Sequence, residues 1–536
     1  RLVFFRYTPG RAFSGCAPGQ PRLRPGGSAP GSEHCGKAAQ GTVIAAMPPQ
    51  MSKYYVACDL GAESGRVMLG TLHEDSLTIS EVRSFPNTPI LEKDAWLWNI
   101  PWLYEEILQG LNAVGTYEEA VDSISCDSWR GDYLLFEPDG SLITPTYHYR
   151  DRRGEEGMRK VGAAIPPEAL YAETGGQLSP GSTLSQLAAE KPRRLARAER
   201  LLPVADAFNY LLAGVARGER SLAGATRLYN PATRAWSPRL LQAAGVPARL
   251  LPPLVAAGTE LGPLQPAIAK STHLEDTVVV ASCSDQTAAA LTGLPVPEGE
   301  SWAYLRLGSR TDVGALIGQP ILTEAARAQG FTHEPGYGDS IRFFKQTMGL
   351  WLLEECRRFW KAQDREIDDA LLTHLAGASP AFEALIDPAD PRFAAAGDMP
   401  LKVQAFCRET RQPVPRKPGA IIRCVLESLA LSYRQALEEL EALAGRPVAR
   451  LYLLGGAGGD LLQHFIANAV RRPVVAAPPD AAALGNVVAQ ALALGHLTSL
   501  EQARELLRHS TKTSPLQPYA TAWDAAFARL RELRAA

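Results

Sequence analysis

The sequence predicts an α/β protein with two large domains. The chain has 536 residues, which is more than a single hydrophobic core normally supports. Short apolar runs that are typical of buried strands alternate with longer amphipathic segments that are typical of helices. A strand, a short glycine-containing turn and a returning strand span residues 54–72, and the pattern recurs over 301–317. The second half is therefore expected to repeat the organisation of the first.

The composition argues against several classes of function. The hydrophobic fraction of 46% and the charged fraction of 21% are ordinary for a soluble globular protein. A formal net charge of −2 gives no indication of a nucleic-acid partner, and no apolar run reaches the length of a membrane span. The eight cysteines form no C-x-x-C pair, so neither a zinc site nor a redox motif is indicated. We expect a cytoplasmic protein that binds neither nucleic acid nor membranes.

Residues 1–50 differ in composition from the rest of the chain. They contain seven prolines, eight glycines, six basic residues and one acid, with neither helical nor strand periodicity. Such a composition cannot bury a core. We therefore expect a disordered tail that is an artefact or the result of a mis-assigned upstream start, with the natural start at Met51 or at Met47.

The first strand ends in Asp59, and the turn that follows it reads DLGAESGR over 59–66. Backbone N–H groups of such a turn can bind an anion, and its glycines let a phosphate approach closely. Asp59 can hold a magnesium ion directly or through water. Without a partner motif, an ordinary hairpin that carries an acidic residue is the better interpretation of this segment.

A second buried strand, over 121–126, ends in the segment DSWRGDY at 127–133. Its two carboxylates can accept hydrogen bonds from hydroxyl groups, its arginine can donate, and its indole can pack on a sugar face. The charged run YRDRR at 149–153 would by itself be a solvated face. Residues 155–275 mix short helices, one of them over 205–212, with proline-rich loops and indicate no chemistry by themselves.

Asp285 follows the apolar strand 277–281 and opens a helix in the segment SCSDQTAAA over 282–290. Ligands of α/β proteins gather at the carboxyl ends of strands, and a helix N-terminus attracts anions. Asp285 is therefore a candidate catalytic carboxylate. The simpler alternative is that it only caps the helix, as most aspartates in this position do.

The second half begins after a connecting segment at 295–300. It is predicted to contain strands over 301–307, 312–317, 451–454 and 474–476, and helices over 343–360, 421–443, from Leu461, over 481–494 and at the C-terminus. The strand that enters GGAGGD at 455–460 is a second candidate nucleotide loop. A single glycine cluster is weak support, because it can be only a tight strand–helix connection.

Together these motifs resemble the FGGY family of carbohydrate kinases. The residues that carry the resemblance are DLGAESGR, YRDRR, SDQT at 284–287, MGLWLLEE, ESLALSYR, LYLLGGAGGD and AALGNVVAQ, in the order of the family and from about Met51 to about Tyr519. Within the family the chain is most similar to the kinases of L-rhamnulose. The resemblance implies two actin-like, ribonuclease-H-like domains with a cleft between them. We expect a sugar-binding domain over 51–297, a nucleotide-binding domain over 298–520 and a C-terminal helix over 521–536.

The resemblance also implies roles for individual residues. Asp285 matches the general base, which takes a proton from the primary hydroxyl of the sugar so that this oxygen attacks the γ-phosphate of ATP. Asp59 matches the residue near Mg²⁺. The implied contacts to ATP are Ala62, Glu63, Ser64, Gly65, Arg66, Ser309, Glu354, Gly456, Ala457 and Gly458. The implied contacts to the sugar are Asp127, Trp129, Arg130, Asp132, Ser284, Gln286 and Gln346.

The chain departs from the family pattern near the expected ligands. Arg130 stands where glycine is common, Gln346 where asparagine is common, and Glu354 where glutamine is common. Residues 309–311 read Ser-Arg-Thr in place of Thr-Trp-Ser, and Asp460 replaces asparagine. The base and the first phosphate loop are intact, so a sugar kinase is better supported than any particular sugar.

Arg130 has three possible arrangements: it points to solvent, it pairs with Asp127 or Asp132, or it reaches into the cleft. We favour the second or the third. The alternatives to an L-rhamnulose kinase are a kinase for another ketose or polyol, an actin-like ATP-binding regulator, and an actin-like filament protein. The expected ligands are a small sugar and ATP, bound by a monomer or a homodimer.

Overall fold

A computed structural model of the protein describes residues 52–117, 120–455, 459–511, 513–519 and 522–535. The tail expected at 1–50 and the glycine-loop residues Gly456, Ala457 and Gly458 lie outside these ranges. The described residues belong to one compact unit. Within them, no helix is long and apolar enough to cross a membrane.

The described residues form 21 strands and 19 helices. The strands are β1 (Lys53–Leu60), β2 (Ser64–Leu72), β3 (Leu77–Pro86), β4 (Ile90–Glu92), β5 (Ala95–Trp98), β6 (Val121–Ser128), β7 (Tyr133–Phe136), β8 (Thr146–Tyr147), β9 (Arg200–Pro203), β10 (Gly218–Glu219), β11 (Tyr229–Asn230), β12 (Ala235–Trp236), β13 (Leu254–Val255), β14 (Thr259–Pro263), β15 (Val278–Ala281), β16 (Trp302–Arg306), β17 (Arg310–Ile317), β18 (Phe331–Pro335), β19 (Ile341–Met348), β20 (Arg450–Leu454) and β21 (Val474–Ala476). The helices are α1 (Ile100–Tyr117), α2 (Arg153–Ala164), α3 (Pro167–Thr174), α4 (Thr183–Ala188), α5 (Pro192–Arg197), α6 (Val204–Ala213), α7 (Arg220–Ala225), α8 (Pro238–Ala244), α9 (Pro266–Thr272), α10 (Gln286–Thr292), α11 (Glu324–Ala328), α12 (Trp351–Lys361), α13 (Asp369–Gly377), α14 (Met399–Glu409), α15 (Pro418–Ala444), α16 (Gly459–Val470), α17 (Ala481–Ala493), α18 (Leu500–Ser510) and α19 (Trp523–Ala535).

The first sheet has the strand order β14-β15-β6-β1-β2-β3. Strands β1, β2 and β3 form an antiparallel meander, and β6 and β15 continue the sheet parallel to β1. Alternate residues of β1 face opposite sides. Val56 and Cys58 pack with α1 and α6, whereas Tyr55 and Ala57 pack with α17 and α18. Both faces of β1 are covered, and this explains why its sequence is apolar throughout.

The second sheet repeats this plan with the order β18-β19-β17-β16-β20-β21. Strands β16, β17 and β19 are antiparallel, and β20 and β21 continue parallel to β16. Helices α12, α14, α15, α16 and α19 share one large apolar core with it. The repeat of the hairpin in the second half is therefore confirmed.

The predicted helix over 343–360 is wrong in its first part. Residues Ile341–Met348 form strand β19, which pairs with β17 along its whole length, and α12 begins only at Trp351. The adjacent Phe343 and Phe344 favour a strand, where aromatic side chains pack well on a pleated surface. The other main strands and helices that were predicted are confirmed, with shifts of a few residues at their ends.

Helix α17 joins the two halves of the chain. It follows the second sheet in sequence but packs on the first sheet and on α10. A Cβ atom at Gly485 would lie 1.8 Å from the backbone oxygen of Ala289, so only glycine allows this approach. Helix α10, which begins next to Asp285, is therefore held directly against α17.

Candidate active site

The ends of three parallel strands bring the predicted carboxylates to one edge of the first sheet. Asp59 and Asp127 are register partners on β1 and β6. Ser128 forms an isolated parallel bridge with Asp285, which follows β15. Side chains at the carboxyl ends of adjacent parallel strands lie at the same edge of the sheet. The proximity of Asp59, Asp127 and Asp285 was therefore predictable.

Asp285 caps helix α10 and also faces the second sheet. Its Oδ1 atom accepts a hydrogen bond of 3.0 Å from the backbone N–H of Ala288. The same oxygen lies 2.9 Å from Nη1 of Arg342, which belongs to β19. Its Oδ2 atom is 3.9 Å from Nε of Arg130, and no described residue donates a hydrogen bond to it. The capping interpretation is thus correct for Oδ1. Oδ2 is not used in the cap.

Arg130 pairs with acids of the second sheet. Its Nη1 lies 3.0 Å from Glu334 Oε2, and its Nη2 lies 3.2 Å from Asp312 Oδ2. Burial by itself would raise the pKa of Asp312, but Arg306 and Arg130 hold it below its usual value. Burial acts in the same way on Glu334, whose pKa is held below its usual value by Arg130 and other arginines. Both acids are therefore charged partners for the guanidinium group.

The expected pairing of Arg130 with Asp127 or Asp132 is wrong. Asp127 accepts from Asn486 Nδ2 at 2.6 Å. Asp132 accepts from Trp98 Nε1 at 2.6 Å and from Trp129 Nε1 at 2.8 Å. Both aspartates are buried, and each accepts at least one hydrogen bond from a neutral donor. Arg130 instead extends toward the second sheet, where it pairs with Asp312 and Glu334, and its contact with a sugar stays a prediction.

Asp132 and Trp129, two predicted sugar contacts, are buried and bonded to each other. Burial raises the pKa of Asp132 to about 6, although three side chains donate hydrogen bonds to it. The indole rings of Trp98 and Trp129 lie 4.5 Å apart, and the N–H group of each is bonded to the same carboxylate. The N–H group of Trp129 is therefore already hydrogen-bonded within the protein.

The glycine-containing turn after β1 is anchored to Asp59. Arg66 Nη2 donates to Asp59 Oδ2 at 2.6 Å, and its Nη1 donates to Asp480 Oδ1 at 2.5 Å. Gln286 donates to the other oxygen of Asp59, so this predicted sugar contact is bonded to the loop. Within the turn, Ala62 is half-buried, Glu63 and Ser64 are exposed, and Gly65 is buried. The tip of the turn is open to a ligand.

The pair Asp59 and Asp127 fits a divalent cation. Oδ1 of Asp127 is buried and has no hydrogen-bond partner among the described residues. Burial, and then the adjacent Asp59 carboxylate, raise the pKa of Asp127 well above its usual value. Across the described part of the chain, no three His, Cys, Asp or Glu side chains are grouped as metal ligands. A bound Mg²⁺ would therefore take most of its ligands from water or phosphate, as this ion usually does.

Two of the residues predicted to contact ATP, Ser309 and Glu354, are bonded to each other, and the predicted sugar contact Gln346 is bonded to Asp312. Ser309 Oγ donates to both oxygens of Glu354, at 2.8 and 2.9 Å. Gln346 Nε2 donates to Asp312 Oδ1 at 3.1 Å. Gln346 therefore shares its acid partner with Arg130, although 216 positions separate the two in the sequence. In the second glycine loop, Gly455 has a φ of +84°, a conformation that favours glycine.

Two further acids lie beneath Asp285, and the sequence analysis did not identify them. Ser284 Oγ donates to Asp206 Oδ1 at 2.8 Å, and Ser284 N donates to Glu219 Oε2 at 2.9 Å. Burial raises the pKa of Glu219 to about 7, and burial followed by Glu219 raises that of Asp206 well above its usual value. Ser284, a predicted sugar contact, is thus fully buried and bonded to this pair. An acid within the mostly apolar helix α6 was a usable signal for Asp206.

Solved structures share this fold. A gluconate kinase from Lactobacillus acidophilus superposes with a TM-score of 0.75 at 15% identity, covering 90% of this chain and 98% of that chain. A Plasmodium falciparum glycerol kinase with ADP superposes with a TM-score of 0.72 at 13% identity, covering 90% and 97%. At these identities the comparison establishes the fold alone, which is the two-domain actin-like α/β architecture of sugar kinases.

Curated relatives are more similar in sequence. The rhamnulokinase of Bacteroides thetaiotaomicron is 36% identical over 482 residues, which is 89% of this chain and 98% of that protein. The rhamnulokinase of Enterococcus faecalis is 36% identical over 468 residues, which is 86% and 94%. Residues 54–293 match the N-terminal domain of the FGGY family of carbohydrate kinases, and residues 303–494 match its C-terminal domain. The chain therefore belongs to the FGGY family of carbohydrate kinases.

Proposed function

We propose that this carbohydrate kinase transfers the γ-phosphate of ATP to the primary hydroxyl of L-rhamnulose, giving L-rhamnulose 1-phosphate. The observation that carries the proposal is the Asp285 carboxylate, whose Oδ2 accepts no hydrogen bond from any described residue. The two rhamnulokinases at 36% identity support the choice of sugar. Residues 51–297 would bind the sugar and residues 298–520 most of the nucleotide, in a cytoplasmic enzyme that is a monomer or a homodimer.

In the proposed reaction Asp285 acts as general base through Oδ2. It accepts the proton of the primary hydroxyl as that oxygen attacks the γ-phosphorus, and a positioned base of this kind contributes about 10²–10⁴-fold. The turn over Ala62–Arg66, together with Ser309 and the segment 456–458, would bind the phosphates and the nucleotide. When Mg²⁺ is bound, it neutralises phosphate charge, and Asp59 and Asp127 would hold it. Burial of Asp285 keeps water, a competing acceptor, away from the base.

A kinase for another ketose or a polyol is a second candidate, and Arg130 is the observation that favours it. Its Nε lies 3.9 Å from Asp285 Oδ2, and its guanidinium group is held by Asp312 and Glu334. Gln346 binds the same Asp312. Pocket contacts of this kind set specificity between related sugars.

The test is ADP release by the purified chain across a panel of ketoses and polyols, with and without Mg²⁺. We expect L-rhamnulose to give the highest kcat/KM and Asp285→Asn to lower the sugar-dependent rate by about 10²-fold or more. A different best sugar would assign the second candidate. Nucleotide binding without ADP release for any sugar would indicate a regulator instead.

A further inference from the structure

The two oxygens of Asp285 have different surroundings. Oδ1 accepts from the backbone N–H of Ala288 at 3.0 Å and lies 2.9 Å from Arg342 Nη1. Oδ2 accepts no hydrogen bond from a described residue, and Arg130 Nε lies 3.9 Å from it, which is too far for a hydrogen bond. The N–H groups of Arg342 are not aimed at Oδ1, so this contact is an ion pair and not a hydrogen bond. One oxygen is therefore fixed and the other is available.

Arg342 is the better fixed of the two arginines beside the base. Its side chain is 0% exposed, whereas that of Arg130 is 25% exposed. Its Nη2 pairs with Glu334, its register partner on the adjacent strand β18. A substrate that approaches Oδ2 can displace the Arg130 side chain, but Arg342 has no solvent into which it can move.

We propose that Arg342 is a positioning residue for the catalytic base. This inference rests on the proposed function of Asp285. Arg342 pins Oδ1 and so turns Oδ2 toward the hydroxyl of the acceptor. Arg342 belongs to the second sheet and Asp285 follows a strand of the first, so the base is oriented only while the two sheets are held together at the site.

A purely structural role for Arg342 has to be separated from this one. A buried carboxylate such as Glu334 needs compensating charge, and Arg342 supplies part of it. Arg227 offers a matched control, because its Nη1 lies 3.1 Å from the other oxygen of Glu334 and it forms no ion pair with Asp285. If Arg342 served only Glu334, replacement of Arg227 would have the same consequence.

The experiment compares Arg342→Gln, Arg342→Lys and Arg227→Gln, using the sugar that gives the wild-type enzyme its highest turnover. We expect Arg342→Gln to lower kcat by about 10- to 100-fold, since misplacement of a catalytic group by about 1 Å can cost about 10²-fold. The KM values for sugar and ATP should change by less than about twofold. Arg342→Lys should recover part of kcat, and Arg227→Gln should keep it near the wild-type value.

Equal losses of kcat in Arg342→Gln and Arg227→Gln, or an unchanged kcat in Arg342→Gln, would overturn the inference. If Arg342→Gln does not fold, Arg342→Lys is compared with Arg227→Lys, and equal kcat values again overturn it. A wild-type enzyme that turns over no sugar would instead overturn the proposed function, so the two failures are distinguishable.

Discussion

At the scale of single residues, Asp285 combines a helix cap with a candidate base, and the Asp285→Asn variant separates the two roles. Asparagine caps a helix about as well as aspartate, so helix α10 should be kept, but the melting temperature should fall because the buried Arg342 loses a charged partner. The amide cannot accept the proton, so kcat should fall by about 10² or more while ATP still binds. Steady-state kinetics and nucleotide titration of the same preparation measure both effects. Near-normal turnover would rule out the role of base.

Arg130 is the residue for which we expect a change of specificity. It stands beside Asp285 Oδ2 and spans two acids of the second sheet. Arg130→Gly removes up to five donors and should alter kcat/KM unequally across the sugar panel. For at least one sugar the change should be about tenfold, or roughly 1.4 kcal/mol.

The control for Arg130 is Arg306→Gln. Arg306 pairs with the same Asp312 at 2.9 Å, and no ion pair joins it to Asp285. This variant should shift every sugar by a similar factor. If Arg130→Gly also changes kcat/KM by the same factor for every sugar, Arg130 has a structural role and does not select the substrate.

The raised pKa of Glu219 predicts how the free energy of unfolding depends on pH. Burial raises its pKa in the folded protein from 4.5 to about 7, so the folded state holds a proton that the unfolded state releases. The contribution of Glu219 to stability is complete below about pH 4.5 and is lost as the pH rises through about 7, by about 1.4 kcal/mol per pH unit over this window. Asp206 acts in the same direction. Chemical denaturation at a series of pH values should give a shallower decline for Glu219→Gln, and identical slopes would contradict this explanation.

At the scale of elements, the contact between α10 and α17 depends on Gly485, and a Cβ atom at Gly293 would likewise meet the backbone of α17. A Cβ atom at Gly485 would meet backbone atoms of Ala289 and Gly293, which cannot move away as a flexible side chain can. Gly485→Ala should therefore destabilise the protein by about 1–3 kcal/mol, as overpacking usually does. The matched control is Gly162→Ala in α2, where a Cβ meets nothing within 4 Å and alanine favours the helix. Thermal melts of both variants test this, and equal melting temperatures would refute the close packing.

The strands also show how much of the fold could be predicted from the sequence. Strands β1 and β15 were predictable because each is an apolar run that ends in small or acidic residues, and β6 because mostly apolar and small residues precede its final Asp127 and Ser128. Their shared edge follows from their parallel order. Strand β19 was not predictable, because its aromatic residues lie shortly before the helical segment MGLWLLEE and fit the spacing of a helix as well as that of a strand. The partners of Arg130 were also beyond reach, because Asp312 and Glu334 are 182 and 204 residues away in sequence. Such pairs depend on the packing of two sheets, about which local patterns carry no information.

At the scale of the whole molecule, the site is built from both sheets. The ion pairs from Arg130 to Glu334 and from Arg342 to Asp285 connect the halves across it. Ligands that bind between two domains favour the closed arrangement. Small-angle scattering should therefore show a smaller radius of gyration with sugar and a non-hydrolysable nucleotide than without them. The same radius in both states would count against closure, and the nucleotide alone serves as the control.

The position of α17 and α18 has a consequence for how the protein is made. These helices cover the face of the first sheet that carries Tyr55, Ala57 and Met68, yet they are synthesised some 400 residues later. At about 5–20 residues per second on the ribosome, that face of the nascent chain stays uncovered for on the order of 20–80 seconds. During translation this apolar face is a natural binding surface for chaperones, and a fragment that ends before Ala481 would leave it bare permanently.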